Sequence, residues 1–185
     1  HDEVVHLKCS MINKMPGEYE DKFANLKVGY TFMLGHPGKK LLFMGQDFGQ
    51  FHEWDEKVSL DWYLTKEPFH ADLQNYVKGL LTLYHKYPAL YRLDEEYDGF
   101  QWINANDGDR SIFSFIRRDE TQKKNLLFIC NFTPVDRDDY RVGVPKRGTY
   151  TLLLDQEHGY YKRGDKISHY RSIKSECDGQ PYSFA

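Results

Sequence analysis

The sequence predicts an α/β segment followed by an antiparallel β domain, because the spacing of apolar residues changes near residue 94. Before that point, two stretches repeat apolar residues every three or four positions, which is typical of helices. After it, short apolar stretches alternate with turn residues, which is typical of antiparallel strands. The 185 residues, 40% of them hydrophobic, suffice for one large domain or two small ones. We expect the boundary within residues 92–98, where Asp94, Glu95 and Glu96 form a solvated acidic stretch.

Two helices are predicted in the first half. The first begins near residues 16–17 and ends before residues 36–38, where Pro and Gly favour a turn. The second covers residues 71–87 and is stopped by Pro88. Their apolar faces are formed by Tyr19, Phe23, Leu26, Tyr30 and Met33 in the first helix, and by Leu73, Tyr76, Val77, Leu80, Leu81 and Tyr84 in the second.

A buried strand is predicted between the two helices. Residues 40–45 form a short apolar run bounded by turn residues, which favours a strand buried on both faces of a parallel sheet. The loop of residues 45–54 follows directly. It would then project from the carboxyl end of the strand, where α/β sheets and barrels bind ligands.

Five short strands are predicted in the second half. A strong hairpin signal lies at residues 106–109, where Asn, Asp and Gly favour a tight turn. The predicted strands cover residues 99–103, 111–118, 125–132, 140–144 and 149–155.

Composition excludes several function classes. A net charge of −3 and a pI near 6.3 give no basic surface for nucleic acid. The longest apolar runs are too short to span a bilayer, and nothing predicts anchoring or export, so we expect a soluble cytoplasmic protein. The three cysteines, Cys9, Cys130 and Cys177, lack paired spacing and are interpreted as reduced thiols. Cys130 lies in an apolar run and is expected to behave as a small buried hydrophobe.

The first six residues contain a motif that superficially resembles metal sites. His1, Glu3 and His6 do not have the spacing of a zinc protease helix, and the cysteine pair of a zinc deaminase is absent. We therefore expect neither a metal nor another cofactor. Asp2 is a candidate catalytic carboxylate, although polar clusters at chain ends are more often solvated turns.

The loop after the predicted strand combines acids with aromatic residues. Asp47, Glu53, Trp54 and Trp62 suit a sugar, because its apolar face stacks on aromatic rings while its hydroxyls form hydrogen bonds. The competing interpretations are a polar surface loop and, for the tryptophans, packing in the core.

The order of several motifs resembles the closing part of a bacterial glycogen branching enzyme, a 1,4-α-glucan branching enzyme of the α-amylase superfamily. The resemblance covers most of the chain and is weakest over residues 155–185. It rests on HDEVVH at 1–6, KMPG at 14–17, KFANL at 22–26, HPGKKLLFMG at 36–45, EW at 53–54, SLDW at 59–62, FIRR at 115–118, NFTP at 131–134 and DYR at 139–141.

This resemblance implies a fragment with two parts. Residues 1–93 would be the end of a (β/α)8 TIM barrel, with residues 40–45 as its eighth strand. Residues 94–185 would be an antiparallel β-sandwich domain, lacking its last strand. A barrel cannot close with one or two strands. The exposed barrel-facing side, including Leu41 and Phe43, is therefore expected to form oligomers or to pack on the missing N-terminal part of the enzyme.

The resemblance also assigns roles to residues. Asp2 would stabilise the oxocarbenium-like transition state, and His1 would contact a sugar hydroxyl. The expected substrate-binding residues are His1, Glu3, Asp47, Glu53, Trp54 and Trp62, although Asp47 stands where the family has Glu. The substrate would be an α-glucan such as glycogen or amylose, of which an α-1,4 segment is transferred to a 6-hydroxyl to make an α-1,6 branch.

A retaining mechanism further needs a nucleophile and a general acid, with carboxyl groups about 5 Å apart. In the family both lie upstream of this sequence, so the chain alone is predicted to be inactive. Two alternatives stay open: a non-catalytic carbohydrate-binding module that uses Trp54, Trp62 or Trp102, and a fragment of a related α-glucan hydrolase.

Overall fold

The computed structural model describes residues 4–185. The roles predicted for His1, Asp2 and Glu3 concern residues outside this range. The described part contains two α-helices, Tyr19–Gly35 (α1) and Pro68–Lys86 (α2). Its strands are Phe100–Asp107 (β1), Ile112–Arg117 (β2), Leu126–Asn131 (β3), Val142–Val144 (β4), Thr149–Thr151 (β5), Leu154–Asp155 (β6), Gly159–Tyr160 (β7), His169–Arg171 (β8) and Tyr182–Phe184 (β9).

Both predicted helices are confirmed. The α1 helix begins with a capping box, in which the Asp21 carboxylate accepts a hydrogen bond from the Glu18 backbone N–H at 2.9 Å. The α2 helix begins three residues earlier than predicted because Pro68 occupies its first turn, where a missing N–H is harmless. It ends at Lys86, before Pro88.

The helices pack against each other and form the main core of the first half. Most residues of the predicted apolar faces meet at this interface, together with Ile12 from the preceding 3₁₀ turn, whereas Leu81 is 43% exposed. The core residues are Ile12, Phe23, Leu26, Tyr30, Leu34, Leu73, Tyr76, Val77 and Leu80.

The predicted buried strand at residues 40–45 is wrong for this chain. Residues 39–43 have no regular secondary structure, and 44–45 lie in a turn. Leu41 and Met44 are about half exposed rather than buried. A strand needs neighbours to pair its backbone groups, and in residues 4–185 every strand ladder lies beyond residue 99.

The second half is antiparallel β structure, as predicted. The three-stranded sheet has the order β1-β2-β3, and the predicted hairpin joins β1 to β2. The predicted strand at residues 149–155 is divided into two, because β5 pairs with β8 while β6 pairs with β7. The β9 strand pairs with β4.

The three-stranded sheet packs against the end of α1. Gly35 makes this approach possible, since a Cβ there would lie 2.8 Å from the rings of Phe115 and Phe128. Those two rings stack with centroids 4.9 Å apart. The interpretation of residues 94–96 as a solvated stretch holds for the exposed Glu95 and Glu96. It is wrong for Asp94, which forms an ion pair with a buried arginine of β2.

None of the helices in the described residues is long and apolar enough to cross a membrane.

Candidate functional site

Glu53 holds the chain segment that follows the first residues. Its carboxylate accepts hydrogen bonds from the backbone N–H groups of Leu7 at 2.8 Å and of Cys9 at 2.5 Å. His6, Leu7 and Cys9 all have positive φ angles, of 59°, 64° and 69°, a conformation that non-glycine residues rarely adopt. The Glu53 carboxylate therefore stabilises an unusual turn, and both of its oxygens already have a partner.

Asp47 lies in a short 3₁₀ turn, Gln46–Phe48, between two glycines with left-handed backbone conformations. Gly45 has φ 77° and Gly49 has φ 68°, which glycine adopts without strain. The Asp47 carboxylate accepts a hydrogen bond from Gln74 of α2 at 3.0 Å. It lines an open groove of about 510 Å³.

The same groove contains Trp62. Its side chain is 55% exposed and packs with a tilted geometry on the ring of Phe48, at a centroid distance of 5.4 Å. Apolar residues from both helices and from the segment of residues 40–45 line most of the rest of the groove, together with Gln74 and the two lysines Lys40 and Lys78. Asp47 and Trp62 thus line the same groove, to which they contribute a carboxylate and an aromatic ring.

Trp54 lies elsewhere. Its ring packs edge-on against Phe43, at a centroid distance of 5.2 Å, and it lines a small cavity that also contains Ser10 and His52. The structure therefore separates the predicted substrate-binding residues into two groups. Asp47 and Trp62 face the groove, while Glu53 and Trp54 lie next to the turn of residues 6–9.

A set of hydrogen bonds that the sequence analysis missed joins the loop of residues 45–54 to the segment that carries Asp61 and Trp62. The buried Gln50 accepts a hydrogen bond from the Asp61 N–H at 2.8 Å and donates one to the His52 carbonyl at 3.0 Å. His52 Nδ1 lies 2.6 Å from the Asp61 carboxylate. Asp61 could have been found from the sequence, because it is part of the SLDW motif. No local sequence feature pointed to Gln50.

Trp102 is used for packing. It contacts His36 and Phe32 of the α1 end and Phe100 and Phe115 of the sheet, at centroid distances of 5.1–6.3 Å. About a third of its surface is exposed. This ring belongs to the contact between α1 and the sheet rather than to an open sugar platform.

Positive charge is crowded at the end of α1. Burial, with smaller contributions from Lys40 and Arg117, lowers the pKa of His36. Burial also lowers the pKa of Lys40 to about 8, an effect that Asp94 opposes and Arg117 reinforces.

Burial raises the pKa of the Cys130 thiol to about 12, which fits its predicted role as a buried apolar residue.

Within the described residues, no group of three or more His, Cys, Asp or Glu side chains is placed to hold a metal ion.

Two kinds of comparison with known proteins bear on this arrangement. The family model described as the alpha amylase C-terminal all-beta domain matches residues 102–185. The second half of the chain is therefore similar to the C-terminal all-β domain of α-amylases.

Whole-chain relatives are more specific. The chain is 53% identical to the 1,4-alpha-glucan branching enzyme GlgB of Butyrivibrio fibrisolvens, over 99% of this chain and 29% of that protein. It is 50% identical to GlgB of Aquifex aeolicus, over 87% and 26%, and 46% identical to GlgB of Bacillus mycoides, over 91% and 26%. The chain is therefore homologous to the carboxyl-terminal part of GlgB branching enzymes, which confirms the resemblance found in the sequence. It spans between a quarter and a third of the length of these relatives.

Proposed function

We propose that this chain is the carboxyl-terminal part of a 1,4-α-glucan branching enzyme, which cuts an α-1,4-glucan segment and transfers it to a 6-hydroxyl to form an α-1,6 branch. The observation that carries this proposal is the 46–53% identity to branching enzymes over 87–99% of the chain. The parent protein would be a glycosyltransferase-type enzyme that acts on glycogen or amylose in the cytoplasm.

The first part of the chain, residues 1–93, would complete a (β/α)8 barrel, and residues 94–185 would form a β-sandwich. The groove supports the barrel assignment. Leu41, Met44 and Leu81 are each 43–55% exposed, and such large apolar residues rarely cluster on a free surface. More than two thirds of each relative lies outside the match, so we propose that the N-terminal part of the same enzyme covers these apolar residues and leaves Asp47 and Trp62 to the glucan.

Different residues would stabilise the transition state, contact the glucan and position the catalytic segment in the proposed mechanism. Asp2 would stabilise positive charge as it develops on the anomeric carbon, with His1 and Glu3 contacting the sugar. Trp62 and Asp47 would contact glucan hydroxyls and ring faces. Glu53 would hold the turn that follows Asp2, since its carboxylate binds Leu7 and Cys9 N–H groups. The nucleophile and the general acid would come from the preceding part of the enzyme.

Product analysis tests this function. Amylose is incubated with the full-length enzyme and, separately, with this chain, and α-1,6 anomeric protons are followed by NMR. The full-length enzyme should produce a growing α-1,6 signal, and the chain alone should produce none. Release of reducing ends without new branches would make the parent a hydrolase instead. An α-1,6 signal from the chain alone would contradict the upstream placement of the nucleophile and acid.

A second candidate function is glucan binding without chemistry. It is favoured by the exposed Trp62 ring, the Asp47 carboxylate and the Gln74 amide, which line one groove. Saturable amylose binding by the chain that is lost in Trp62→Ala and kept in Trp54→Ala would support this activity.

A further inference from the structure

His70 is a fully buried histidine that packing alone does not explain. Its Nδ1 lies 2.6 Å from the carbonyl oxygen of Phe48, and its Nε2 has no hydrogen-bond partner among the described residues. The rings of Phe23 and Phe51 meet the imidazole edge-on, at centroid distances of 4.8 and 5.1 Å. An apolar ring would suit this aromatic surrounding better, because a buried polar atom without a partner is unfavourable.

The hydrogen bond to Phe48 supplies the reason for a histidine here. A carbonyl oxygen can only accept, so Nδ1 must carry the proton that is donated to Phe48. The imidazole is therefore oriented by the backbone of the 3₁₀ turn Gln46–Phe48, and it fixes that turn to α2 in return.

Gln74 makes the neighbouring contact. It lies four residues after His70, so the two side chains share one face of α2. Gln74 Nε2 donates to the Asp47 carboxylate at 3.0 Å, and Tyr30 of α1 donates to the Gln46 carbonyl at 2.9 Å. Each of the three residues of the turn thus accepts one hydrogen bond from a helix side chain.

The flanking backbone makes these contacts important. Gly45 and Gly49, on either side of the turn, both have positive φ angles, and glycine has the widest backbone freedom of any residue. Backbone hydrogen bonds from Gln46 to Phe43 and from Gln50 to Gly45 hold the shape of the turn, and the helix side chains supply its contacts with α1 and α2. The direction in which Asp47 points into the groove depends on those contacts.

We propose that His70 and Gln74 are positioning residues that hold the 46–48 turn on α2 and aim the Asp47 carboxylate into the groove that it shares with Trp62. This proposal rests on the proposed function, in which Asp47 contacts the glucan. It assigns to α2 a role in substrate recognition that goes beyond packing.

The first test uses the chain itself. Nitrogen-15 NMR of the His70 imidazole should show a protonated Nδ1 whose proton exchanges slowly with water. An imidazole protonated on Nε2 alone, or a rapidly exchanging Nδ1 proton, would overturn the proposed hydrogen bond and with it the role of His70.

The second test is kinetic and uses the full-length enzyme. His70→Phe and Gln74→Leu should each raise KM for amylose about tenfold, the factor that corresponds to 1.4 kcal/mol, with kcat little changed. His70→Asn should restore most of the affinity, because its amide can donate to the same carbonyl. His85→Phe makes the same exchange as His70→Phe at an exposed position of α2 and serves as the matched control.

A double variant separates positioning from a general loss of stability. If Gln74 acts through Asp47, then Gln74→Leu should raise KM no further once Asp47→Asn is present. Additive effects, or KM changes that follow the melting temperature, would overturn the proposal.

The two proposals fail in different ways. Absence of α-1,6 products from the unmodified full-length enzyme would remove the proposed function. The NMR result would still decide whether His70 holds the turn. Normal branching with unchanged KM in every variant would overturn the positioning role alone.

Discussion

The seam between α1 and the β sheet and the groove beside α2 are opposite kinds of surface. At the seam, Arg117 is fully buried and donates to the carbonyls of Gly99 at 3.2 Å and Gly35 at 2.7 Å, and it pairs with Asp94. In the groove, Leu41 and Leu81 are about half exposed. The seam is a buried interface, whereas the groove leaves large apolar side chains exposed.

This difference indicates which contacts the chain supplies by itself. The contact between the helical half and the β half is complete within residues 4–185, with aromatic rings and a buried ion pair. The groove beside α2 instead leaves large apolar side chains exposed. The comparison is in line with the proposed packing of this groove against the rest of a longer protein, and it can be tested on each side.

The largest effect is expected at the seam. Arg117→Met should lower the free energy of unfolding by about 3–5 kcal/mol, because Asp94 loses its buried partner and two carbonyls lose their donor. Urea unfolding followed by circular dichroism measures this loss. Arg118→Met is the control, since the guanidinium of the neighbouring Arg118 bonds to the Gln101 side chain, and the loss of this bond should cost about 1 kcal/mol. Equal losses in the two variants would contradict the comparison.

A smaller change in stability, but a clear change in association, is expected in the groove. Leu41→Gln combined with Leu81→Gln should leave the free energy of unfolding within about 0.5 kcal/mol per site, as for other exposed positions. It should reduce concentration-dependent self-association of the chain in sedimentation velocity. Ile173→Gln, which alters a 61% exposed residue outside the groove, is the control. A wild-type chain that stays monomeric at every concentration would remove the basis for this prediction.

The smallest effect concerns pH. The pKa of Lys40 is lowered from 10.5 to about 8 in the folded chain. Between these values the unfolded state binds more protons, so the contribution of Lys40 to stability rises as the pH increases through this window. Lys40→Gln should make the rise shallower in urea unfolding between about pH 8 and pH 10. The exposed Lys39 provides the control, and Lys39→Gln should keep the wild-type slope.

Periodicity was sufficient to predict part of the regular elements. Both helices and the strands up to residue 155 follow from apolar spacing and turn residues, which act over a few positions, whereas β7, β8 and β9 were not predicted. The strand at residues 40–45 was wrong in this chain because a buried strand depends on distant partners. The apolar pattern of residues 40–45 indicates that the segment is suited to burial. It does not say which neighbouring strands would bury it.

The candidate site was only partly predictable for a related reason. Asp47 and Trp62 share a groove, in keeping with the predicted sugar-binding pattern. Glu53 instead accepts bonds from residues more than 40 positions away in the sequence. His70 was hidden because a histidine within an apolar helix face resembles a core residue, and its partner is a backbone carbonyl with no sequence signature.

Arg117 has a consequence for the exchange of domains between this chain and its relatives. It comes from β2, yet its guanidinium binds the last residue of α1 and the segment at residues 94–99. If a β domain from one relative replaced that of another from residue 93 onward, this arginine would have to bind the end of a different α1 helix. A β domain that is exchanged successfully should therefore include the end of α1, so the exchangeable unit begins inside the helical half.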